Sequence, residues 1–566
     1  MKINNSKIEI LIASVILFVI TLGVVLIYSP IYFHANDDGI ISGLANGEYS
    51  GKVSIELIYG SKIYGSLLAV LYFILPMFQW HGIIQLSIVL FSSVVLFSEI
   101  SKVQKFTFFY RIGIYIIVIN SYLIFVISPT FTIAALISGL TGTLLIYKNL
   151  ITQNHKFITP SLLLFMSAII RPDGFAAVLY FAFPALLYTV YLHLKNMNLL
   201  MKYTVSFVPS VFVFIQETYL NDIFGRSPED WKKYWQFLNA FHQIHTNPSM
   251  TKMHQEVAAF QIPGLEWTNV EATLLTTVTY FDPIIFNPSQ MELAKNHVND
   301  FIGLRGLVNA EFILTLSRIW EYMVQINYLF YVLLGIILFL LLVIKKFGHV
   351  FLLLAFTLYV FFLYYYLGAV WRIPVRINMP IIFMMIISLL ILISYLKIRS
   401  IKNVWLISII SSVFVILFQF QPKGFMGIQE NLIKKQGEQE AISNELKRVN
   451  ENGIFIGHIK YGYENYTNAY VTRNNYRSLD LTSGWHVFSP PWNQKAKSLG
   501  ISDANPTFAF TNKKDVYFVG DDYMGQVMGM FLNDQKLFVQ GICNLGNLPN
   551  GGRIISFQIS ESQCKK

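Results

Sequence analysis

The run ILIASVILFVITLGVVLIYSPIYF, from Ile10 to Phe33, carries no charge, and HANDDG, from His34 to Gly39, follows it at once. A spanning helix needs about 20 apolar residues, so this run can cross a bilayer. It is too long for a signal peptide, and no small-x-small cleavage pattern follows, so it reads as an uncleaved anchor. Two aspartates then stand where the first crossing ends. Similar runs recur at Tyr64 to Phe78, Ile83 to Ile100, Phe106 to Ser128, Phe131 to Tyr147, Phe157 to Ile170, Gly174 to Leu194 and Leu199 to Leu220. After a long polar stretch come Asn327 to Ile344, His349 to Ala369, Ile377 to Leu396 and Asn403 to Phe420. Of the 566 residues, 54% are hydrophobic and 13% charged, about half the charge of a soluble domain. That excludes an ordinary globular enzyme, and the 16% aromatic content excludes a disordered chain. The expected class is a polytopic α-helical membrane protein.

Charge orients it. The net charge of +10 comes from lysines clustered between apolar runs, which points to the positive-inside bias and to a lipid bilayer as partner, not to nucleic acid. Lys2 and Lys7 precede the first run, and basic groups recur at Lys102 and Lys105, Lys148 and Lys156, Lys195 and Lys202, Lys345 and Lys346, and Lys397, Arg399 and Lys402. With all of these in the cytoplasm, Asp38 and Lys102 lie on opposite sides, so one of the two runs between them does not cross. Tyr64 to Phe78 is the shorter and is read as an interfacial or re-entrant helix. The count is then about 11 crossings, with the N-terminus cytoplasmic and the C-terminus extracytoplasmic.

This divides the chain into a transmembrane module at 1–420 and an extracytoplasmic α/β domain at 421–566. The module carries a first outer loop at 34–63 and a long one at 221–326. Trp231, Trp235, Phe237 and Phe241 argue that the long loop is packed. In the tail, Asn431 to Arg448 reads as a surface helix. Strands are expected at 453–457, 516–519, 536–539 and 553–557, with helices near 493–499 and 522–532. Two cysteines, Cys543 and Cys564, allow at most one disulfide and no thiolate metal site.

Three constellations carry chemistry. Asp37-Asp38 is a solvated helix end in its bland reading; at the mouth of a bundle, one carboxylate could instead take a proton from a hydroxyl. Arg171-Pro172-Asp173 stands where an outward helix turns inward. Its arginine either snorkels or holds a phosphate by bidentate hydrogen bonds. Trp371-Arg372-Ile373-Pro374-Val375-Arg376 puts two arginines on the outer side, against the charge rule, where an anion or the aspartates would satisfy them. Asp173 and Glu217 are further acidic candidates. His242, His245 and His254 lack a matching third ligand for a metal site, and His81 reads as an interfacial residue.

This layout resembles the GT-C superfamily of polytopic glycosyltransferases, which includes protein mannosyltransferases and lipid A aminoarabinose transferases. The similarity covers most of 1–420 in architecture; Asp37-Asp38 matches closely, and the turn at Arg171 resembles Arg-Pro-acidic turns of bacterial members. Many members carry a further acidic residue in the second outer loop, where this chain reads Ser128-Pro129-Thr130-Phe131. No cofactor is therefore assigned, and a divalent cation stays an open alternative. The resemblance implies a glycosyltransferase with a sugar donor on a polyprenyl phosphate and transfer on the outer face, and leaves a glycan, lipid or protein of the cell envelope as acceptor; the high Lys, Asn and Ile content suggests a bacterial source. Asp37 or Asp38 would be the general base, and Arg171, Arg372 and Arg376 would bind the donor phosphate, with inversion at the anomeric carbon. The competing classes are a polysaccharide polymerase or lipid-linked sugar flippase, and a non-catalytic assembly protein in which the acidic pair is dispensable.

Overall fold

The computed structural model describes residues 5–33, 36–48, 53–102, 107–154, 156–193, 197–217, 228–245, 265, 267–277, 279, 282–297, 312–343, 347–370, 374–393, 404–458, 461, 467–470, 481–482, 486–501 and 505–558. The first half is helical: α1 (Asn5–Tyr28), α2 (Asn36–Ala45), α3 (Lys62–Ile74), α4 (Trp80–Lys102), α5 (Phe108–Ile127), α6 (Phe131–Ile151), α7 (Ile158–Ile170), α8 (Pro172–His193) and α9 (Met197–Ile215). The long polar stretch contains α10 (Glu229–His245), α11 (Asn269–Thr276), α12 (Pro288–His297) and α13 (Phe312–Val324). Then come α14 (Asn327–Val343), α15 (Phe347–Val370), α16 (Val375–Ile393), α17 (Val404–Phe418) and α18 (Phe425–Val449).

Among the described residues, five helices are long and apolar enough to cross a membrane: Ile8–Tyr28, Trp80–Lys102, Phe108–Ile127, Phe131–Ile151 and Leu353–Val370. A sixth span is counted if α13 and α14, bent by 102°, act as one. These are the features of a helical membrane protein. Helix α1 leaves Leu11, Val15, Phe18, Leu22 and Leu26 exposed, Leu26 at 72%, a surface that only an apolar solvent tolerates. At the other extreme α6 is 83% buried in its apolar window. Its small residues allow this: a Cβ on Gly139 would fall 2.6 Å from Val178 and 2.7 Å from Ser167, so α7 and α8 pack directly on its backbone. At a rise of about 1.5 Å per residue, α3, with 13 residues, spans about 20 Å, short of the ~30 Å hydrocarbon core. Helix α7 has the same length, so length alone does not separate the two.

Contacts define two ends of the bundle. At one end Glu99 of α4 pairs with Lys102 at 2.8 Å and with Lys148 of α6, and Arg111 of α5 pairs with Glu9 of α1 at 3.1 Å. The opposite end gathers the start of α2, α4, α6 and α16 and the turn from α7 to α8, and it holds the candidate site.

The C-terminal part carries β1 (Ile454–Gly457), β2 (Leu481–Thr482), α19 (Pro490–Ser498), α20 (Pro506–Asn512), β3 (Val516–Gly520), α21 (Asp522–Asp534), β4 (Gly541–Asn547) and β5 (Arg553–Gln558). The sheet order is β2-β1-β3-β5-β4, with β1 parallel to β2 and β3, and β5 antiparallel to β3 and β4. All residues of β1 and β3 are buried, as parallel strands covered on both faces require. The expected strand at 536–539 is not one. Lys536 and Phe538 take positive φ of 61° and 47°, which breaks the extended backbone, and the strand begins instead at Gly541. Cys543 on β4 is disulfide-bonded.

A short piece of this region reaches the site end of the bundle. Tyr32 and Asn468 form an antiparallel bridge. Ala469 N–H donates to Ile31 O at 2.7 Å, Gln79 N–H to Tyr470 O at 3.2 Å, and the Tyr470 hydroxyl to Val126 O at 2.9 Å. Gly82, in the first turn of α4, makes room for it, since a Cβ there would lie 1.8 Å from Ala469 O.

Candidate functional site

Asp37 and Asp38 open α2, and consecutive residues of a first turn point in different directions. The Asp37 side chain stays 12% exposed and its Oδ2 pairs with Arg376 Nη2 at 2.9 Å. Arg376 is in the first turn of α16, and its Nε is buried with no partner among the described residues. Asp38 is wholly buried. Its Oδ1 accepts from the Phe131 backbone N–H at 2.8 Å and from Gln85 Nε2 at 2.8 Å, and lies 3.1 Å from His81 Nε2. Phe131 opens α6, so the carboxylate also sits where that helix concentrates its unpaired N–H groups and positive dipole end. Asp38 Oδ2 has no partner among the described residues. His81 Nδ1 lies 3.0 Å from the Tyr64 hydroxyl of α3. With Nε2 protonated, the ring donates to the carboxylate and accepts from Tyr64, and Asp38 then sees only donors.

Arg171 caps the end of α7. Its guanidinium lies 4.6 Å from the Phe131 ring centroid and 5.5 Å from that of Tyr59, and Nη1 donates to Thr132 Oγ1. Two aromatic faces and a hydroxyl therefore hold it in one place. Tyr59 itself has φ of 69°, a conformation that disfavours side chains by about 1–2 kcal/mol. Its ring stacks on His242 of α10 at 5.3 Å, and its hydroxyl meets His242 Nε2. Burial pushes the Tyr59 hydroxyl well above its usual pKa; Asp37 and Asp173 push the same way, against Arg171 and Arg376. The four charges therefore share one neighbourhood around this ring.

The remaining sequence candidates fall as follows. Asp173 is exposed in the first turn of α8. Glu217 Oε1 accepts from the Lys62 backbone N–H at 3.0 Å, so it caps the start of α3. Arg372 lies outside the described residues. His81, expected at the interface, is wholly buried, and it and Gln85, for which the sequence suggested no role, are central. The signal that could have found them is their spacing of four, which puts both on one face of α4. Among the described residues no group of three His, Cys, Asp or Glu side chains could hold a metal ion.

The rim thus offers fixed guanidinium groups next to a partly exposed carboxylate. Such a set can bind an anion and take a proton from a neighbouring hydroxyl. No known family model, curated protein or solved structure matches the chain.

Proposed function

We propose that this protein is a membrane glycosyltransferase of GT-C type, moving a sugar from a polyprenyl-phosphate donor to a cell-envelope acceptor on the extracytoplasmic face. The observation that carries the reading is the Asp37–Arg376 ion pair, beside Arg171, at the end of the bundle away from the lysine-bearing Glu99 cluster. That lysine end is cytoplasmic under the positive-inside bias. The site end and the C-terminal α/β region then face outward, with about 11 crossings in all. The disulfide at Cys543 fits an oxidising compartment on that side.

A phosphate leaving group departs without a general acid, so the protein has two tasks. One aspartate of the pair takes the proton from the acceptor hydroxyl, and Arg376 and Arg171 stabilise the charge growing on the departing phosphate. Arg376 is shared in this scheme: as the donor phosphate arrives it turns part of its charge from Asp37 to the ligand, which frees the carboxylate. Attack opposite the phosphate inverts the anomeric carbon.

The test is reconstitution of the purified protein with labelled polyprenyl-phosphate sugars and extracted envelope acceptors. In a folded, inserted protein, at least one of Asp37→Asn and Asp38→Asn should lower transfer by about 10²–10³. Full activity in both single variants refutes the assignment. Reporter fusions after Ser50, Lys102 and Lys460 test the orientation: only Lys102 should report the cytoplasm.

A further inference from the structure

The two aspartates are adjacent in sequence but not equivalent in surroundings. Asp37 lies on the rim, 12% exposed, against Arg376. Asp38 is 0% exposed and is tied by one oxygen to two other helices, through His81 and Gln85 of α4 and the backbone of Phe131 at the head of α6. The His81 ring is itself fixed on its other side by Tyr64 of α3, whose own start is docked by the Ser61 N–H on Ile169 O at 3.1 Å. Thus α2, α3, α4 and α6 are bound together through a single carboxylate, one residue from the rim.

Resting on the transferase reading, we propose that the pair divides its labour. Asp37 is the base, and Asp38, His81 and Gln85 are positioning residues that hold the first turn of α2 so that Asp37 faces the arginines. In the step, the acceptor oxygen forms its bond to the anomeric carbon and its proton passes to Asp37. The carbon–oxygen bond to the donor phosphate breaks, and the phosphate leaves with the electron pair. Asp38 neither gains nor loses a proton. A misplacement of about 1 Å at a reacting group costs roughly 10²-fold in rate, so a clamp of this kind is worth having although it touches no substrate. Among the described residues, the charged and titratable groups near Asp37 include Arg376 of α16, Arg171 at the α7–α8 turn and Tyr59 before α3, together with its neighbour Asp38.

The experiment compares Asp37→Asn, Asp38→Asn, His81→Ala and Gln85→Ala by pH–rate profile and by carbodiimide labelling read by mass spectrometry. Asn at position 38 keeps an oxygen for Gln85 and the Phe131 N–H. Asp38→Asn, His81→Ala and Gln85→Ala should therefore lower kcat by roughly tenfold to a hundredfold, leave KM for the donor near its original value and retain the acidic limb of the profile. Asp37→Asn should lose the limb along with about 10²–10³ of rate. The labelling needs no activity. Carbodiimide should modify Asp37 and spare Asp38 in the unaltered protein, and His81→Ala should expose Asp38 to it. An acidic limb that survives Asp37→Asn but vanishes in Asp38→Asn overturns the assignment. Equal labelling of both carboxylates in the unaltered protein overturns the clamp. If no polyprenyl-phosphate sugar is turned over, the transferase reading fails and the labelling still decides whether Asp38 is clamped.

Discussion

Gly82→Ala tests the junction between the bundle and the C-terminal region without reference to any reaction. The new Cβ would lie 1.8 Å from Ala469 O and 2.8 Å from Ala469 C. Both are backbone atoms, so no side chain can rotate out of the way. Restoring ordinary contact at 3.4 Å moves the segment around Ala469 about 1.6 Å. Its hydrogen bonds run from 2.7 to 3.3 Å and do not survive such a shift, since the geometry fails near 3.5 Å. Four are at stake: Ala469 to Ile31, Phe33 to Thr467, Gln79 to Tyr470, and the Tyr470 hydroxyl to Val126. At about 0.5–1.5 kcal/mol each, the junction loses about 2–6 kcal/mol locally. The assay is hydrogen–deuterium exchange of peptides covering 31–33 and 467–470 in detergent. Exchange there should quicken by a factor of about 30 or more, the equivalent of the lower figure. Gly23→Ala, where nothing lies within 4 Å of the added carbon, is the control and should leave those peptides unchanged. Equal protection in Gly82→Ala and the unaltered protein would refute the close approach on which the docking rests.

Three further outcomes follow from other parts of the molecule. Burial pushes His486 down to about 3 from about 6.5 in the unfolded chain. The unfolded state therefore takes up a proton first, and stability of the C-terminal region is intact above pH 6.5 and is lost as pH falls toward 3; His486→Phe should flatten that acid dependence in a denaturation series. Gly139→Leu forces a side chain into Val178 and Ser167 and should lower thermal stability by about 1–3 kcal/mol, measured as an earlier aggregation midpoint. Arg376→Ala leaves Asp37 without its 2.9 Å partner and should abolish stabilisation of the protein by added polyprenyl phosphate in a thermal shift; an unchanged shift would remove Arg376 from phosphate binding.

Part of this architecture is legible in the sequence alone. Runs such as Ile10 to Phe33 can satisfy their backbone in lipid only as helices, so α1, α4, α5 and α6 follow from composition and length. The buried strands β1 and β3 and the helix α21 announce themselves by local pattern in the same way. The strand expected at 536–539 failed because Lys-Leu-Phe-Val has strand composition, whereas two of its residues adopt positive φ, and composition does not report backbone handedness.

The site divides along the same line. That an acidic pair follows the first helix and that arginines recur at later turns are facts of the sequence. That Asp38 is held by His81, Gln85 and the Phe131 N–H, 43 to 93 residues away, is a fact of packing, because a contact between distant residues leaves no trace in the local periodicity of either. The same holds for the unlike surroundings of Asp37 and Asp38, and for the C-terminal segment seated on Gly82. Local sequence chooses helix or strand, by backbone satisfaction and the transfer free energy of apolar runs. Which side chains meet at the end of the bundle is decided only when the helices close-pack and their polar groups find partners.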